Sequence, residues 1–340
     1  PNLYTGMLAA ASLAGHAMPV YPDATGDEIR HVLLHSDVRF VLAEDQEQVD
    51  KILELRDATL PLERIIYDDP RGLNAYEDSG LVSWQKLIEQ GAARLKNEPG
   101  LRDQLIARAK PDDALVFIHS SGTTGRPKGV VLSHRNVLSG VANAYKAKAF
   151  GFGEEVLAYL PMAWVGDFAT TVGAGIALQF TVNIPERPET VLHNLREIAP
   201  TFYLAAPRSW DNMLTMVQVR MEDSTWLKKT IYDFFMERAI ANERIKLDGK
   251  SPTAFNRLLR VIGEQLVFAP IKDQFGLSRL HHAFTGGEAI GEDTFVFYRA
   301  LGVKLRQLYG QTESSAFNAM QDVEEVRLHT VGRPLPGVET

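Results

Sequence analysis

Apolar positions along this chain recur in two rhythms: short runs of β-branched and aromatic residues, and longer stretches with a period near 3.6. Residues 17–21 (Ala-Met-Pro-Val-Tyr) read as a strand-like run, followed by a helix that starts at Thr25, where Thr25 and Glu28 have the spacing of a capping box. Residues 38–42 predict a strand, 46–55 a helix with Val49, Ile52 and Leu53 on one face, and 64–67 another strand. The Asp-, Gly-, Pro- and Asn-rich segment 68–80 reads as a surface loop ahead of a helix near 83–95. Further strands are expected at 115–119, 130–132, 156–160, 180–184, 202–205, 281–285 and 303–309 with helices between them, and Ser133 is placed to cap a helix over 134–148. This alternation predicts an α/β fold with largely parallel sheets.

Residues 207–275 break the rhythm. They carry about three helical patterns and no strand, including 226–247 and 253–275, and so read as a helical insertion. Leu227, Ile231, Phe234, Phe235 and Ile245 recur at near-helical spacing and predict a helix packed against the sheet. Residues 168–185 are uncharged, but Thr170, Thr171, Gly173, Gly175, Gln179, Thr181, Asn183 and Pro185 interrupt them, which suits a buried helix and a strand rather than a membrane span. The apolar segment 7–17 has no basic stretch ahead of it and is not a convincing signal peptide. Neither an internal repeat nor a low-complexity tract is present.

Composition narrows the class. With 340 residues, 45% hydrophobic and 23% charged, the chain can build a large enzyme domain or two packed subdomains. A net charge of −7 gives no general attraction to nucleic acid or to an acidic membrane, so any anion site must be local. The absence of cysteine excludes disulfides, thiolate metal sites and a cysteine nucleophile, and fits a reducing compartment.

The candidate chemistry begins at residues 118–132, Ile-His-Ser-Ser-Gly-Thr-Thr-Gly-Arg-Pro-Lys-Gly-Val-Val-Leu. Gly122, Gly125 and Gly129 let backbone approach an anion, Ser120, Ser121, Thr123 and Thr124 add hydroxyl donors, and Lys128 adds a point charge. The spacing is not Walker A, because Pro127-Lys128-Gly129 stands where that pattern needs Gly-Lys-Ser/Thr. A second motif, Gln307-Leu308-Tyr309-Gly310-Gln311-Thr312-Glu313, follows a predicted strand. There a tyrosine can stack on a base, a glycine admits close backbone approach, a threonine can bond a phosphate and a carboxylate can hold a divalent cation.

Together these motifs resemble the signatures of the adenylate-forming (AMP-binding) superfamily, which includes acyl-CoA synthetases, luciferases and peptide-synthetase adenylation domains. Phe284-Thr285-Gly286-Gly287-Glu288-Ala289, Leu160-Pro161-Met162-Ala163-Trp164 and Val331-Gly332-Arg333-Pro334-Leu335-Pro336-Gly337 match three further places in the family pattern, so the resemblance covers nearly the whole chain. Thr201-Phe202-Tyr203-Leu204-Ala205-Ala206-Pro207-Arg208, Tyr21-Pro22-Asp23 and the helical insertion resemble the long-chain fatty acid CoA ligases.

The resemblance implies the large N-terminal α/β domain of the adenylate-forming fold: two βαβ-type subdomains over residues 1–322, incomplete at the N-terminus and with a helical insertion at about 207–275, then the start of the next β subdomain at 323–340. The family's ribose-binding aspartate, hinge and C-terminal domain with its adenylation lysine would lie beyond Thr340. It further implies ATP-dependent activation of a fatty, long-chain carboxylic acid to acyl-AMP and then acyl-CoA. ATP and Mg²⁺ would be required and CoA would be the co-substrate.

By the same resemblance, Ser120, Ser121, Gly122, Thr123, Thr124, Gly125 and Lys128 would hold the β- and γ-phosphates, Thr312 the α-phosphate, and Glu313 with Ser120 the metal. Gly287, Glu288, Gln307, Tyr309 and Gly310 would shape the adenine site, and Trp164, Val165 and Phe168 would line the acyl pocket or its gate. Lys128, Thr312 and Glu313 are the expected catalytic residues. Ser120 replaces the commoner threonine and Trp164 the commoner histidine of many relatives.

The expected partners are therefore small molecules, with no nucleic acid and no transmembrane segment, in a cytoplasmic enzyme that has room for peripheral attachment at a membrane. The 340 residues alone are expected to bind nucleotide weakly without completing the reaction. Two alternatives share the phosphate motifs. One is an acyl-AMP ligase or other carboxylic-acid adenylating enzyme that does not use CoA; the other is a non-catalytic nucleotide or lipid sensor.

Overall fold

The structure, a computed structural model, describes residues 1–57, 59–120, 128–323 and 325–339, with Ser120 described in its backbone only. The chain divides into two compact units, Pro1–Val137 with Pro161–Val165, and Leu138–Leu160 with Gly166–Thr340.

The first unit begins with α1 (Asn2–Ser12) and α2 (Gly26–His35), then β1 (Phe40–Ala43), α3 (Gln46–Leu55), β2 (Arg64–Tyr67), β3 (Leu81–Ser83), α4 (Trp84–Asn97) and α5 (Leu101–Ile106). The capping box of α2 forms as expected: Glu28 N donates to Thr25 Oγ1 at 3.4 Å and Thr25 N donates to the Glu28 carboxylate at 2.8 Å. β1, β2 and β3 make a parallel sheet, and Ile29, Leu33, Val49, Ile52 and Ile65 close a core on it. Residues 17–21 do not form a strand. Ala17 makes a single bridge to Val116, and Pro19 and Pro22 lack the donors a longer ladder would need. β4 (Ala114–Ser120) and β5 (Lys128–Ser133) pair antiparallel, an exception to the largely parallel sheets. Their connection, residues 121–127, is too short for a parallel crossover, which takes a dozen or so residues.

Next come α6 (His134–Lys146), β6 (Glu155–Leu157), α7 (Val165–Phe168), a π-helical turn over Ala169–Ala174, α8 (Gly175–Ala177), β7 (Thr181–Asn183) and α9 (Val191–Ile198). Ser133 caps α6, accepting from Asn136 N at 3.2 Å. β8 (Phe202–Ala205) leads into the helical insertion: α10 (Pro207–Glu222), α11 (Trp226–Leu247), α12 (Ala254–Gly263), a π-helical turn over Glu264–Phe268, and α13 (Ala269–Gln274). The chain ends with β9 (His282–Thr285), α14 (Glu292–Leu301), β10 (Leu305–Tyr309), β11 (Ala319–Met320) and β12 (Arg333–Pro334). The main sheet has the order β12-β11-β10-β9-β8, parallel from β8 to β10 and antiparallel beyond.

The core of the second unit is aromatic. Trp210 meets Tyr298 at 4.6 Å between ring centroids and Tyr203 at 5.2 Å, both edge-on, and Leu195, Leu301 and Leu305 are fully buried around them. Each such leucine contributes roughly 1.5–3 kcal/mol by leaving water. α11 does not lie on the sheet as its spacing predicts. It packs on α10, α12 and α14, so Ile231 and Phe235 reach the core while Leu227 and Phe234 stay 54% and 40% exposed. Its buried Glu243 explains that orientation, accepting from Arg299 Nε on α14 at 2.8 Å and from Lys246 at 2.9 Å.

Candidate active site

Three sequence-predicted segments leave one edge of the main sheet. β8, β9 and β10 run parallel with Ala205 opposite Thr285 and Thr285 opposite Gln307, so the Pro207 start of α10, the Gly286-Gly287-Glu288 turn and the Gly310–Glu313 turn all emerge at the carboxyl ends of these strands. In open α/β sheets that edge is where ligands bind.

The 310–318 turn has an enforced shape. A Cβ on Gly310 would lie 1.5 Å from the Ala316 carbonyl oxygen, so only glycine fits the fold-back. Thr312–Ser314 form one 3₁₀ turn, and Ser315 and Ala316 follow with φ of 58° and 79°, a costly region for residues with a Cβ. Asn318 N then donates to Tyr309 O at 3.0 Å and starts β11. Thr312 is half-buried. Glu313 is exposed and has no hydrogen-bond or ion-pair partner among the described residues. Tyr309 is 46% exposed, with its hydroxyl accepting from Gln311 Nε2 at 3.0 Å, and offers a ring face for stacking. Gly287 and Glu288 are exposed, and Gly287 holds a φ of 91° with open space where a Cβ would stand.

Gln307 is fixed from several directions. Its backbone N–H donates to Gln321 Oε1 at 2.9 Å, its backbone carbonyl accepts from Gln321 N at 3.0 Å, and its own Nε2 donates to Leu328 O at 2.9 Å. Gln321 Nε2 also donates to Arg327 O and Thr330 O at 2.5 and 2.7 Å. This pairing was not visible in the sequence. Beneath it Arg306 is 1% exposed, donating to the carbonyls of Lys148 and Ala149 at 3.3 and 3.4 Å with its guanidinium 4.1 Å from the Phe284 ring centroid. Burial pulls its pKa down to about 10.

Asp167 is a second feature that sequence reading missed. It is 4% exposed and lines a small hollow of about 10 Å³, room for about one water, with Thr170, Thr171, Tyr159 and Tyr203. Burial pushes its pKa up to about 7, opposed by a 3.3 Å hydrogen bond from Thr171 Oγ1. Tyr159 and Tyr203 stack at 5.5 Å, and burial drives both phenols up, Tyr203 to about 12. The available signal was that Asp167 is the one charge between residues 156 and 185.

In the first unit, Lys128 is exposed at the start of β5, while Ser121, Gly122, Thr123, Thr124 and Gly125 lie outside the described residues, as does the Ser120 side chain. His119, beside that loop, is held neutral, its pKa lowered to about 4 by burial and by His35 and His31. Trp164 is half-buried, and Val165 and Phe168 are 7% and 1% exposed. No helix among the described residues is long and apolar enough to cross a membrane, and no cluster of three metal-ligating side chains occurs among them.

The chain is similar to known proteins. The chain is 27% identical to the long-chain-fatty-acid–CoA ligase ACSBG2 of Xenopus laevis, over 98% of this chain and 45% of that protein. It is 28% identical to the ACSBG2 of Homo sapiens, over 97% of this chain and 49% of that protein, so it spans about half the length of these relatives. The solved anthranilate CoA ligase AuaEII in complex with anthranoyl-AMP shares the fold at a TM-score of 0.63 and 16% identity, covering 98% of this chain and 51% of its own. The AMP-binding enzyme family model matches residues 1–340 from end to end, and the chain belongs to that family, with the α/β fold of its N-terminal domain.

Proposed function

We propose that the protein containing this chain activates a long-chain fatty acid with ATP and passes the acyl group to CoA. The observation that carries this reading is the emergence of the Gly286–Glu288 and Gly310–Glu313 turns at the carboxyl ends of adjacent parallel strands, with the Glu313 carboxylate exposed and unpartnered among the described residues. The acid class rests on the names of the curated relatives.

A carboxylate is a poor acylating agent because its leaving group would be an oxide. In the first step a carboxylate oxygen bonds to the α-phosphorus of ATP and the bridging bond breaks, with its electron pair leaving on pyrophosphate. In the second, the sulfur of CoA bonds to the acyl carbon, its proton is lost to solvent, and the bond to AMP breaks. Neither step requires a protein nucleophile, so catalysis is positioning and charge stabilisation.

Thr312 would hold the α-phosphate. Lys128 and the hydroxyls and amides of residues 120–125 would hold the outer phosphates. Tyr309, Gly310, Gly287 and Glu288 would frame the adenine, with Gln307 bracing β10 beneath them. Trp164, Val165 and Phe168 would border the acyl chain. Glu313 fits Mg²⁺, a hard cation usually held by one or two carboxylates and by substrate phosphates rather than by a protein cage, and Ser120 would be its second protein ligand. The metal would supply charge neutralisation on the phosphates.

ATP–pyrophosphate exchange by the full-length protein, measured across acids of six to eighteen carbons, tests the proposal. Exchange that rises with chain length and acyl-CoA formation on adding CoA are expected. Exchange with aromatic or amino acids only would overturn the acid class; acyl-AMP that accumulates in the presence of CoA would overturn the acceptor. Saturable ATP binding without any acid-dependent exchange would overturn catalysis itself.

A further inference from the structure

We propose that the helical insertion holds a second binding site, for a monomeric long-chain carboxylate, in the hollow between α10, α11 and the helix running from residue 264 to residue 274. The hollow holds about 210 Å³ and is open to solvent, so it takes part of a ligand while the rest lies along the surface. Val217, Ile231, Leu266, Val267, Ile271 and Phe275 form apolar walls. None of its lining residues belongs to the motif turns, so the site is independent of the reaction proposed above.

Its charge selects the head group. Arg220 and Lys228 line the hollow, no carboxylate does so among the described residues, and neither cation forms an ion pair there. The nearby acids Glu222 and Asp233 face Lys229 instead. Arg220 lies with its guanidinium 5.6 Å from the Phe275 ring centroid, at the junction of charge and apolar wall. Grease walled around two uncompensated cations complements an amphiphile with one anionic end.

The approach is apolar as well. α12 is turned inside out: Asn256 donates to Asn242 on α11 at 2.8 Å and the Arg260 guanidinium sits 4.4 Å from the Phe268 ring centroid, both facing protein. Phe255, Leu258 and Val261 stand 67%, 59% and 64% exposed, and Leu266 continues the strip at 58%. A surface helix ordinarily does the reverse, and contiguous exposed apolar area of this kind marks an interaction site. Leu266 belongs to both the strip and the hollow, so a hydrocarbon chain adsorbed on α12 meets the cavity mouth directly.

The test is fluorescence titration of the full-length protein with 11-(dansylamino)undecanoic acid below its aggregation concentration. The acid site of the proposed reaction is first saturated with a non-hydrolysable acyl-sulfamoyl adenosine. One saturable site should remain. Lys228→Glu combined with Arg220→Glu, and separately Leu266→Glu, should each raise its Kd about tenfold, and the matching dansylated alcohol should bind at least threefold more weakly than the acid. These side chains are on the surface, so melting temperatures should not change. No residual site, variants within threefold of the wild type, equal binding of acid and alcohol, or a response seen only with phosphatidylserine vesicles would each overturn the proposal. Loss of pyrophosphate exchange with this binding intact would count against the reaction and leave the second site standing.

Discussion

Gln321 Oε1 accepts the backbone N–H of Gln307 at 2.9 Å, while the same side chain donates to the carbonyls of Arg327 and Thr330. One buried amide thus ties β10 to the segment beyond β11, and the turn carrying Thr312 and Glu313 is slung between the two residues. Gln321→Ala should remove three hydrogen bonds and leave their partners without replacements, destabilising the protein by about 3 kcal/mol. Urea unfolding checks this; a loss indistinguishable from zero would mean the pairing is incidental.

Two glycines of the motif turns, Gly310 and Gly287, should respond differently to alanine. At Gly310 the new methyl would collide with the Ala316 carbonyl, and a cost of about 3 kcal/mol or more is expected together with loss of nucleotide binding. At Gly287 there is room, and only the φ of 91° is penalised, by about 1–2 kcal/mol. Melting temperatures of the two variants, compared side by side, should reproduce this order.

Asp167 gives the stability a pH dependence of definite sign. Its pKa in the folded protein is raised to about 7, from an ordinary 3.8. Between those values the unfolded chain has lost a proton that the folded one keeps, so stability falls as pH climbs from 4 to 7 and levels off above. Asp167→Asn removes the titration and should stabilise the protein at pH 8 by up to about 4 kcal/mol, with the advantage vanishing near pH 4. Thermal melts of both proteins at pH 4, 6 and 8 decide it; parallel curves would exclude a buried neutral acid.

Glu313→Gln leaves size unchanged and, because the side chain has no partner among the described residues, should leave the melting temperature unchanged. If the carboxylate holds a metal–nucleotide complex, pyrophosphate exchange by the full-length protein should drop about 10²-fold or more. Raised Mg²⁺ should restore part of it. A variant with full activity would remove Glu313 from the proposed machinery.

Much of this architecture was legible because burial and period coincide. The helix 46–55, the strand 64–67 and the long helix 226–247 appear at the expected residues, the first set by its amphipathic spacing and by Asp45 capping Gln48 N. Residues 17–21 misled because their apolar character is real while Pro19 within them and Pro22 just beyond deny a ladder. The face of α11 was misjudged because hydrophobic spacing does not say which layer it will meet; buried Glu243 chooses α14 through Arg299. The turns after β9 and β10 announced themselves through glycines that the geometry demands. Gln321 and Arg306 did not, since a polar residue destined for the interior looks no different in sequence from one bound for water; Asp167 stood out only as a single charge in an apolar stretch.

The wide turn at Glu264–Phe268 has a mechanical corollary. It interrupts an otherwise uniform winding between α12 and α13, so that a single rod shows oil to water along its first half, at Leu258 and Val261, and to the interior along its second, at Phe268 and Ile271. Removing one residue there would turn everything upstream by about 100°, swinging the outward stripe off its present bearing and carrying Arg260 away from the ring it now covers. That lone irregularity works as a phase shifter, fixing which way half a helix looks.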